Sequence, residues 1–414
     1  MHRFIDVLIL LILAGGLPAQ FHSGDLVGAG SDGRLFRCDA AGNFATFTVG
    51  YGPLTGWTMD YDNTSMLVTD PVARNLYLVD GSLSIIRVYP FPSFIPMDVA
   101  VDQNGDLLFT DALFQGIRRF AFSGGIFPVA GGLSPDLFGG LVIDIDSSDL
   151  LLTRGSGVLD GNPVFQVSRN GSTVTSTRGG VTGCHGMTQT PDGVVYVASC
   201  AGTPASPRLL YRLSPGAVDA TPFLTTLPET GITGITAVKA DRGSAPSQRL
   251  LLAAHDRKGM WFLDVESTTV TRVNTLQESL YEVGFLGSRN VGSALVAPRK
   301  WALNVSFPGE AGNGYHVVMG FSGVRPALTL PDGRRLHLVP DALTMATLSG
   351  PIPPFFTGNI GTLDSRGMAF PVIDLTTLPR AADGILVWIV AATFQAEASM
   401  GMATLSDPMV FRIE

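Results

Sequence analysis

Leu107-Leu108-Phe109-Thr110-Asp111 is one of six related apolar segments that lie between residues 26 and 255. The other five are residues 26–30, 66–70, 150–154, 195–199 and 251–255. Their last residues are separated by 40, 41, 43, 45 and 56 positions. A period in the forties, with several apolar strands in each unit and Gly, Asp or Asn at the turns, predicts a β-propeller.

Each repeat adds one predicted strand before its segment and two after it, so that a unit contains four strands. The first repeat lacks the upstream strand, and a spare strand at residues 281–285 follows the last repeat. We expect this spare strand to pair into the first unit, because ring closure hides the edges of the sheets. The prediction is a six-bladed propeller over residues 20–290. Seven blades are the alternative if the longer sixth repeat contains extra strands.

The forty-residue period ends after residue 290, and a different pattern of apolar segments follows. These segments are residues 301–307, 315–322, 368–373, 385–394 and 409–413, with Gly and Pro between them. The pattern predicts a small β-sandwich over residues 293–414. Residues 385–394 are apolar without alternation, which indicates a strand buried on both faces. The whole chain is therefore predicted to be all-β.

Residues 1–19 have the features of a secretory signal peptide. Arg3 supplies the positive charge, residues 7–13 a short apolar region, and residues 17–19 a small-residue cleavage site. An uncleaved anchor is the alternative, but spanning a bilayer takes about 20 apolar residues. We therefore expect the mature chain to be exported to the periplasm, the cell surface or the medium, without a transmembrane segment.

The composition excludes some classes of partner. The net charge is −8, and the chain contains only three lysines. Nucleic-acid binding needs a basic face, and a polybasic membrane patch needs clustered Lys or Arg. Neither class fits this chain. Its 49 Gly, 27 Pro and low charged fraction of 15% are typical of short strands joined by tight turns.

Cysteine is scarce, with three residues in the chain. Cys184 and Cys200 lie on either side of a predicted hairpin, and an exported protein would permit their oxidation. A disulfide between them and two separate buried thiols are both open interpretations. Cys38 is interpreted as a small buried apolar residue.

Several polar residues are predicted to converge on one mouth of the central channel, where the repeated segments end and the innermost strands begin. Ligand sites favour such concave positions. Asp70 and Asp111 have a second interpretation, as caps that accept hydrogen bonds from turn backbone, and an ion pair between Asp111 and Arg154 is a further alternative. The candidate ligand-binding residues are Asp70, Asp111, Arg154, His185, Ser199, His255, Asp256 and Arg257.

His185 is the candidate catalytic residue, because an imidazole at the channel wall could act as a general base or a ligand. No matching carboxylate or second His accompanies it in the sequence. His255, Asp256 and Arg257 form the most polar cluster of the set, and a solvated loop is their alternative interpretation.

Residues 184–198, with the turn Thr190-Pro191-Asp192-Gly193, resemble the hairpins of NHL-type and gluconolactonase/regucalcin-like six-bladed propellers, as does the turn at residues 102–106. The resemblance extends over about residues 24–290. Enzymes of that kind hold a divalent cation with Glu, Asn and Asp, and this chain has Thr55, His185 and Thr233 at those positions. The acidic ligands that Ca²⁺ prefers are missing there, so the resemblance does not carry lactonase activity to this chain.

Two further resemblances are narrower. A His at position 185 is similar to virginiamycin B lyase-like propellers, which this chain resembles only in isolated hairpins. Residues 293–414 resemble a C-terminal β-sandwich module of secreted proteins from planctomycetes and related bacteria, on the strength of residues 363–370, 384–388 and 408–413. That module implies surface association or assembly and no catalytic residues.

Three functional hypotheses follow. The leading one is an exported, non-enzymatic propeller that binds a protein or carbohydrate at the channel mouth and needs no cofactor. The second is a metal-assisted lactonase or lyase that uses a divalent cation with His185, Asp70, Asp111 and His255. The third is a cell-surface structural component held through residues 293–414.

Overall fold

The computed structural model describes residues 25–413 with gaps. The gaps are residues 40–42, 60–64, 103–105, 122–124, 132, 134–139, 145–148, 154–161, 169–173, 182–183, 191, 200–208, 228–231, 233, 242–248, 255–258, 274–279, 287–290, 308–309, 325–326, 332–333, 351–354, 397–400 and 407. The predicted signal peptide lies outside the described residues. The described chain is all-β apart from one short α-helix and one 3₁₀ turn.

Residues 25–286 contain, in their described part, six four-stranded antiparallel sheets, each a blade of a β-propeller. Blade 1 comprises β1 (Asp25–Gly30), β2 (Arg34–Cys38), β3 (Phe44–Thr48) and β24 (Leu280–Leu286). Blade 2 comprises β4 (Gly56–Met59), β5 (Ser65–Asp70), β6 (Asn75–Asp80) and β7 (Ile85–Pro90). Blade 3 comprises β8 (Pro96–Val101), β9 (Leu107–Asp111), β10 (Gly116–Phe120) and β11 (Ile126–Ala130).

The other three blades follow in chain order. Blade 4 comprises β12 (Leu141–Ile143), β13 (Leu150–Thr153), β14 (Asn162–Val167) and β15 (Val174–Val181). Blade 5 comprises β16 (Cys184–Gln189), β17 (Val195–Ser199), β18 (Leu210–Leu213) and β19 (Thr221–Leu224). Blade 6 comprises β20 (Ile235–Asp241), β21 (Arg249–Ala254), β22 (Met260–Asp264) and β23 (Val270–Arg272).

The blades form a closed ring. The innermost strands β24, β4, β8, β12, β16 and β20 each contact the next in that cyclic order, and β20 contacts β24. Strand β24 pairs antiparallel with β1, with Gly28 opposite Val283. The predicted closure by a spare C-terminal strand is therefore confirmed. In its described residues the longer sixth repeat contains the four strands of blade 6, and the choice between six and seven blades stays a prediction.

The apolar residues of the repeated segments are consecutive, not alternating, because both faces of these strands are covered. Leu151 packs with Val195 and Val197 of blade 5, whereas its neighbour Leu150 packs with Leu108 of blade 3. Strands buried on both faces lack the alternation of half-buried strands. The core of the propeller is thus divided among the interfaces between blades.

In their described part, residues 291–413 contain two five-stranded sheets that enclose a common apolar core containing Trp301, Val317 and Ile389. The first sheet comprises β25 (Val291–Ala297), β26 (Lys300–Ser306), β30 (Phe356–Thr357), β32 (Met368–Ala369) and β33 (Val372–Asp374). The second comprises β27 (Gly314–Gly320), β31 (Ile360–Thr362), β34 (Leu386–Phe394), β35 (Met402–Leu405) and β36 (Met409–Arg412). This is the arrangement of a β-sandwich.

The outer face of the second sheet is also covered. Val318, Trp388 and Val390 pack there against residues of a hairpin and an adjoining helix. The covering elements are β28 (Leu328–Thr329), β29 (Arg335–Leu336) and α1 (Ala342–Leu348), and a 3₁₀ turn occurs at Arg380–Ala382. The predicted strand buried on both faces is confirmed as β34. The predicted strand at residues 368–373 is two short strands, β32 and β33, that both pair with β26.

Candidate ligand-binding mouth of the propeller

Strand pairing defines one mouth of the ring, where the second strand of each blade ends beside the start of the innermost strand. Asp111 lies opposite Pro96 in blade 3, and Ser199 lies opposite Cys184 in blade 5. Asp70 ends the corresponding strand of blade 2. The structure therefore places Asp70, Asp111 and Ser199 at equivalent positions around this mouth.

In blade 6 the strand pairing differs by one residue from the alignment of the repeated segments, in which His255 corresponds to Asp111. Ala254 lies opposite Ile235, as Asp111 lies opposite Pro96, so Ala254 and not His255 holds the equivalent position. Arg154, His255, Asp256 and Arg257 lie outside the described residues, as does Cys200. His185 and Cys184 belong to β16, but their side chains are not described. The catalytic role of His185 and the Cys184–Cys200 disulfide stay predictions.

Asp70 is fully buried and serves as a hydrogen-bond acceptor for two loops. Its Oδ2 accepts the backbone N–H of Tyr51 at 2.8 Å, and its Oδ1 accepts that of Ala73 at 2.8 Å. The hydroxyl of Tyr77 donates to Oδ2 at 3.5 Å. The carboxylate thus joins the loop that precedes β4 to the turn between β5 and β6.

Asp111 holds the same place in blade 3 and is also fully buried. Its Oδ1 accepts the backbone N–H groups of Ile95 at 3.0 Å and Leu113 at 3.1 Å. Its Oδ2 accepts Nε of Arg118 at 2.9 Å, and the Arg118 guanidinium lies 3.9 Å from the ring centroid of Phe114. Within the described residues, the ion pair of Asp111 is therefore made inside its own blade.

These contacts match the turn-capping interpretation of the two carboxylates. Each has both oxygens engaged by donors, and neither is exposed to solvent. A carboxylate that acts on a substrate or a cation needs a free, accessible lone pair. The described residues also contain no group of three or more His, Cys, Asp or Glu placed to hold a metal ion.

Three apolar side chains beside these carboxylates were not predicted from the sequence. Tyr51 is 86% exposed, Val72 62% and Leu113 59%. Their backbones are fixed by the two aspartates: Tyr51 donates to Asp70, and Val72 and Leu113 lie in the turns that Asp70 and Asp111 cap. The only signal in the sequence is that Val72 and Leu113 are 41 positions apart, the same step as Asp70 and Asp111.

The two turns also share an unusual backbone. Arg74 and Gln115, each four residues after the capping aspartate, have φ of 54°. Left-handed backbone at a residue other than Gly costs on the order of 1 kcal/mol and is retained where surrounding contacts enforce it. Blades 2 and 3 thus present an apolar side chain on the same strained, aspartate-capped turn. We use the name mouth patch for the exposed side chains of Tyr51, Val72 and Leu113 at this mouth.

Comparisons with known proteins return structures but no family. No family model matches the chain, and no curated protein does. A streptogramin B lyase structure has 13% identity and a TM-score of 0.44, covering 69% of this chain and 89% of that one. Virginiamycin B lyase from Staphylococcus aureus has 14% identity and a TM-score of 0.45, covering 69% and 90%. A chain of a nidogen/laminin complex has 14% identity and a TM-score of 0.48, covering 64% and 98%. At these identities and TM-scores, the three structures do not indicate an activity for this chain.

A buried carboxylate also lies inside the ring, on innermost strand β8. Asp98 Oδ2 accepts the backbone N–H of Leu141 in blade 4 at 2.6 Å, and Oδ1 accepts that of Val99 at 2.8 Å. Burial raises the pKa of Asp98, and the Lys239 ammonium offsets only part of that rise. Lys239 belongs to β20 of blade 6 and lies 5.9 Å from the ring centroid of Trp57. Asp98 therefore joins two blades at an electrostatic cost.

This raised pKa predicts a pH dependence of stability. The folded state binds the Asp98 proton more tightly than the unfolded chain, in which the carboxyl pKa is about 3.9. As the pH rises from about 4 through the folded pKa, ionisation of buried Asp98 lowers the free energy of unfolding. Asp98→Asn cannot ionise and should lack this decline, although the lost acceptor destabilises it at every pH. Urea unfolding of both proteins between about pH 4 and 8 measures the difference.

Asp264→Asn is the matched control. Hydrogen bonds from the backbone and side chain of Ser267 lower the pKa of Asp264, so its contribution to stability is lost mainly below about pH 4, and its removal should leave the profile between about pH 5 and 8 unchanged. If the difference between wild type and Asp98→Asn were constant across the pH range, Asp98 would not have a raised pKa in the folded protein.

Proposed function

We propose that this chain is an exported, non-enzymatic binding propeller whose mouth patch contacts a protein ligand. The observation that carries the proposal is the pairing of saturated, buried carboxylates with exposed apolar side chains at the same mouth. The carboxylates are used to build the turns, and the turns present Tyr51, Val72 and Leu113. These three side chains are large, apolar and exposed.

The chemistry of the mouth patch favours a protein over a carbohydrate. Tyr51 offers an aromatic face that a sugar or a protein could contact, but two of the three side chains, Val72 and Leu113, offer only aliphatic contacts, which suit an apolar protein surface. Exposed large apolar side chains grouped at one place mark interaction sites more often than isolated ones do. Full burial of a Val or Leu contributes about 1.5–3 kcal/mol, enough for a small patch to contribute measurably to affinity.

Export is part of the proposal and rests on the predicted signal peptide at residues 1–19. Within the described residues, the structure has no helix of the length and apolarity needed to cross a bilayer.

Site-specific photo-crosslinking tests the proposal. The full chain carrying benzoylphenylalanine in place of Tyr51 is expressed in its native host and irradiated. We expect a discrete protein adduct whose yield falls at least about tenfold when Val72→Ser and Leu113→Ser are added, because about 1.4 kcal/mol of lost apolar contact corresponds to that factor. Val218→Ser, at a valine that is 71% exposed in the turn between β18 and β19, is the control and should leave the yield unchanged.

Two results would contradict the proposal. One is an adduct that forms equally well in the mouth variant and in the Val218→Ser control. The other is turnover of a lactone or related substrate that needs a divalent cation and is lost in a His185→Ala variant, which would establish the lactonase or lyase hypothesis instead.

A further inference from the structure

Two aromatic side chains bury hydrogen-bond donors at the interface between blades 5 and 6. Tyr196 of β17 is completely buried and Trp261 of β22 is 1% exposed, and both belong to the core cluster that these two blades share. Among the described residues, neither the Tyr196 hydroxyl nor Trp261 Nε1 has a hydrogen-bond partner. A buried donor without an acceptor costs free energy, so two of them in one interface need an explanation.

A third donor lies on the same face of blade 5. Arg212 of β18 is opposite Tyr196 in the strand pairing, so the two side chains share the face that is turned toward blade 6. The residues on either side of Arg212, Tyr211 and Leu213, pack on the other face, against blade 4. Arg212 Nε is buried and, in the described part of the chain, also lacks a hydrogen-bond partner. Arg212 as a whole is only half-buried, so this end of the interface reaches solvent.

The electrostatics of Tyr196 agree with this placement. Burial raises the pKa of Tyr196 to about 12, the charge of Arg212 opposes that rise, and the carboxylate of Asp192 adds to it more weakly. The hydroxyl is therefore protonated at neutral pH and can donate a hydrogen bond. Asp192 is exposed, and its Oδ1 accepts the hydroxyl of Thr190 at 2.6 Å within its own turn. The interface thus holds three donors, one of which is cationic.

Blade 1 shows which acceptor an arginine at this position takes. Arg37 lies opposite Val27 on the third strand of blade 1, in the register that Arg212 has in blade 5. Its Nε donates to Oδ2 of Asp25 at 2.8 Å, and Asp25 precedes Val27 by two residues. In blade 5 the corresponding residue is Val194. The arginine of blade 5 therefore lacks the carboxylate that the arginine of blade 1 has within its own blade.

We propose that the interface between blades 5 and 6 binds the carboxylate group of a small organic acid, with Arg212, Tyr196 and Trp261 as its donors. The acid supplies the acceptor that Asp25 supplies in blade 1. A carboxylate has about four lone-pair sites, enough for three donors, and its hydrogen bond with a guanidinium is charge-assisted. The ring of Phe223, which lies 5.3 Å from that of Tyr196, offers an apolar contact to the carbon chain.

A small acid fits this interface better than an acidic side chain of a partner protein. Tyr196 and Trp261 are almost completely buried, so a ligand must enter between the blades to reach both donors. A side chain that is attached to a partner's surface is held outside by its own backbone. The proposal does not depend on the mouth patch, which belongs to the turns of blades 2 and 3 and the loop before them.

Titration of the full chain with sodium acetate tests the proposal, read by the indole N–H resonances of the ¹⁵N-labelled protein. The chain has four tryptophans, and Trp261→Phe assigns the resonance of Trp261. We expect this resonance to move and to saturate with a dissociation constant on the order of 1–10 mM, as suits a ligand of so few atoms. The other three indole resonances should stay in place. Sodium chloride at the same concentrations controls for ionic strength and should cause no saturable shift.

Variants of the donors show whether they act together. Arg212→Met and Tyr196→Phe should each weaken acetate binding at least about tenfold, because each removes a hydrogen bond to a charged group. Arg119→Met is the matched control and should leave the affinity unchanged. Arg119 holds the equivalent place in blade 3, and its Nε is likewise buried without a described partner, but the residue opposite it is Leu108, which has no donor. Tyr196→Phe removes an unpaired donor, so in acetate-free buffer it should melt no lower than the wild type.

Several results would overturn the proposal. One is a Trp261 resonance that does not move up to about 100 mM acetate, or that moves equally with sodium chloride. Another is a loss of affinity in Arg119→Met as large as that in Arg212→Met. The peptide acetyl-Gly-Glu-Gly-amide separates the two sources of a carboxylate. Tighter binding of this peptide than of acetate would assign the carboxylate to a partner protein and overturn the small acid as the ligand.

Discussion

Gly56→Ala should lower the free energy of unfolding by about 3 kcal/mol, although it adds a single methyl group. Gly56 belongs to innermost strand β4, and a Cβ there would lie 2.5 Å from the Cα of Asp98 and 2.8 Å from the carbonyl oxygen of Met97. Both are backbone atoms of β8, which cannot move aside by a change of rotamer as a side-chain atom could. The two innermost strands would have to separate, which also disturbs the bond between Asp98 and Leu141.

Urea unfolding followed by tryptophan fluorescence and circular dichroism measures this loss. Gly314→Ala is the matched control, because it is also a strand glycine but its added Cβ would come no nearer than 3.7 Å to any neighbour. We expect the control to change stability by less than about 1 kcal/mol. Equal effects of the two substitutions would show that the innermost strands of blades 2 and 3 are not in close contact.

Leu280→Ala should destabilise the chain by about 4 kcal/mol, near the upper end for deletion of a buried leucine. Leu280 begins the closing strand β24, is fully buried, and packs in one cluster with Leu26 of β1 and Leu251 of β21. Its carbonyl accepts the hydroxyl of Thr236 at 2.9 Å. The Leu280 side chain therefore packs against both blade 1 and blade 6, and its removal leaves a cavity at the point where these two blades close the ring.

Hydrogen exchange read by mass spectrometry locates this effect. We expect faster exchange in β1 and β20 as well as in β24, because all three strands depend on the same closure. Leu113→Ala makes the same chemical change on an exposed turn and should stay within about 0.5 kcal/mol of wild type. If β1 kept its full protection from hydrogen exchange in Leu280→Ala, the stability of β1 would not depend on the packing of Leu280 in β24.

The sequence was sufficient to predict the propeller because its second strands are buried on both faces and stand out as apolar runs. It was not sufficient for the register in blade 6. Residues 250–254 are uniformly apolar, so no polar residue marks where the strand ends, and only strand pairing shows that Ala254 holds the mouth position. Register is well specified by sequence only where the two faces of a strand differ.

The sequence identified Asp70 and Asp111 as candidate turn caps or ligand-binding residues, but it could not decide between these two roles. Asp70 and Asp111 were recognisable as turn residues, but the donors from Tyr51 and Ile95 come from loops 19 and 16 residues upstream. Nothing in the sequence distinguishes Asp98 from other residues near the start of a strand, because the backbone N–H that it accepts belongs to Leu141, 43 residues away. Exposure of Val72 and Leu113 depends on how neighbouring loops pack, which the repeat does not encode.

The pairing of β1 with β24 also determines when blade 1 can be completed during biosynthesis. Asp25 pairs with Leu286, so β1 is translated before the rest of the propeller and its partner β24 after it. At roughly 5–20 residues per second, a nascent β1 waits roughly 13–50 s before β24 has been translated. Throughout that interval β1 lacks its partner on one edge and carries an apolar surface, which a chaperone could cover.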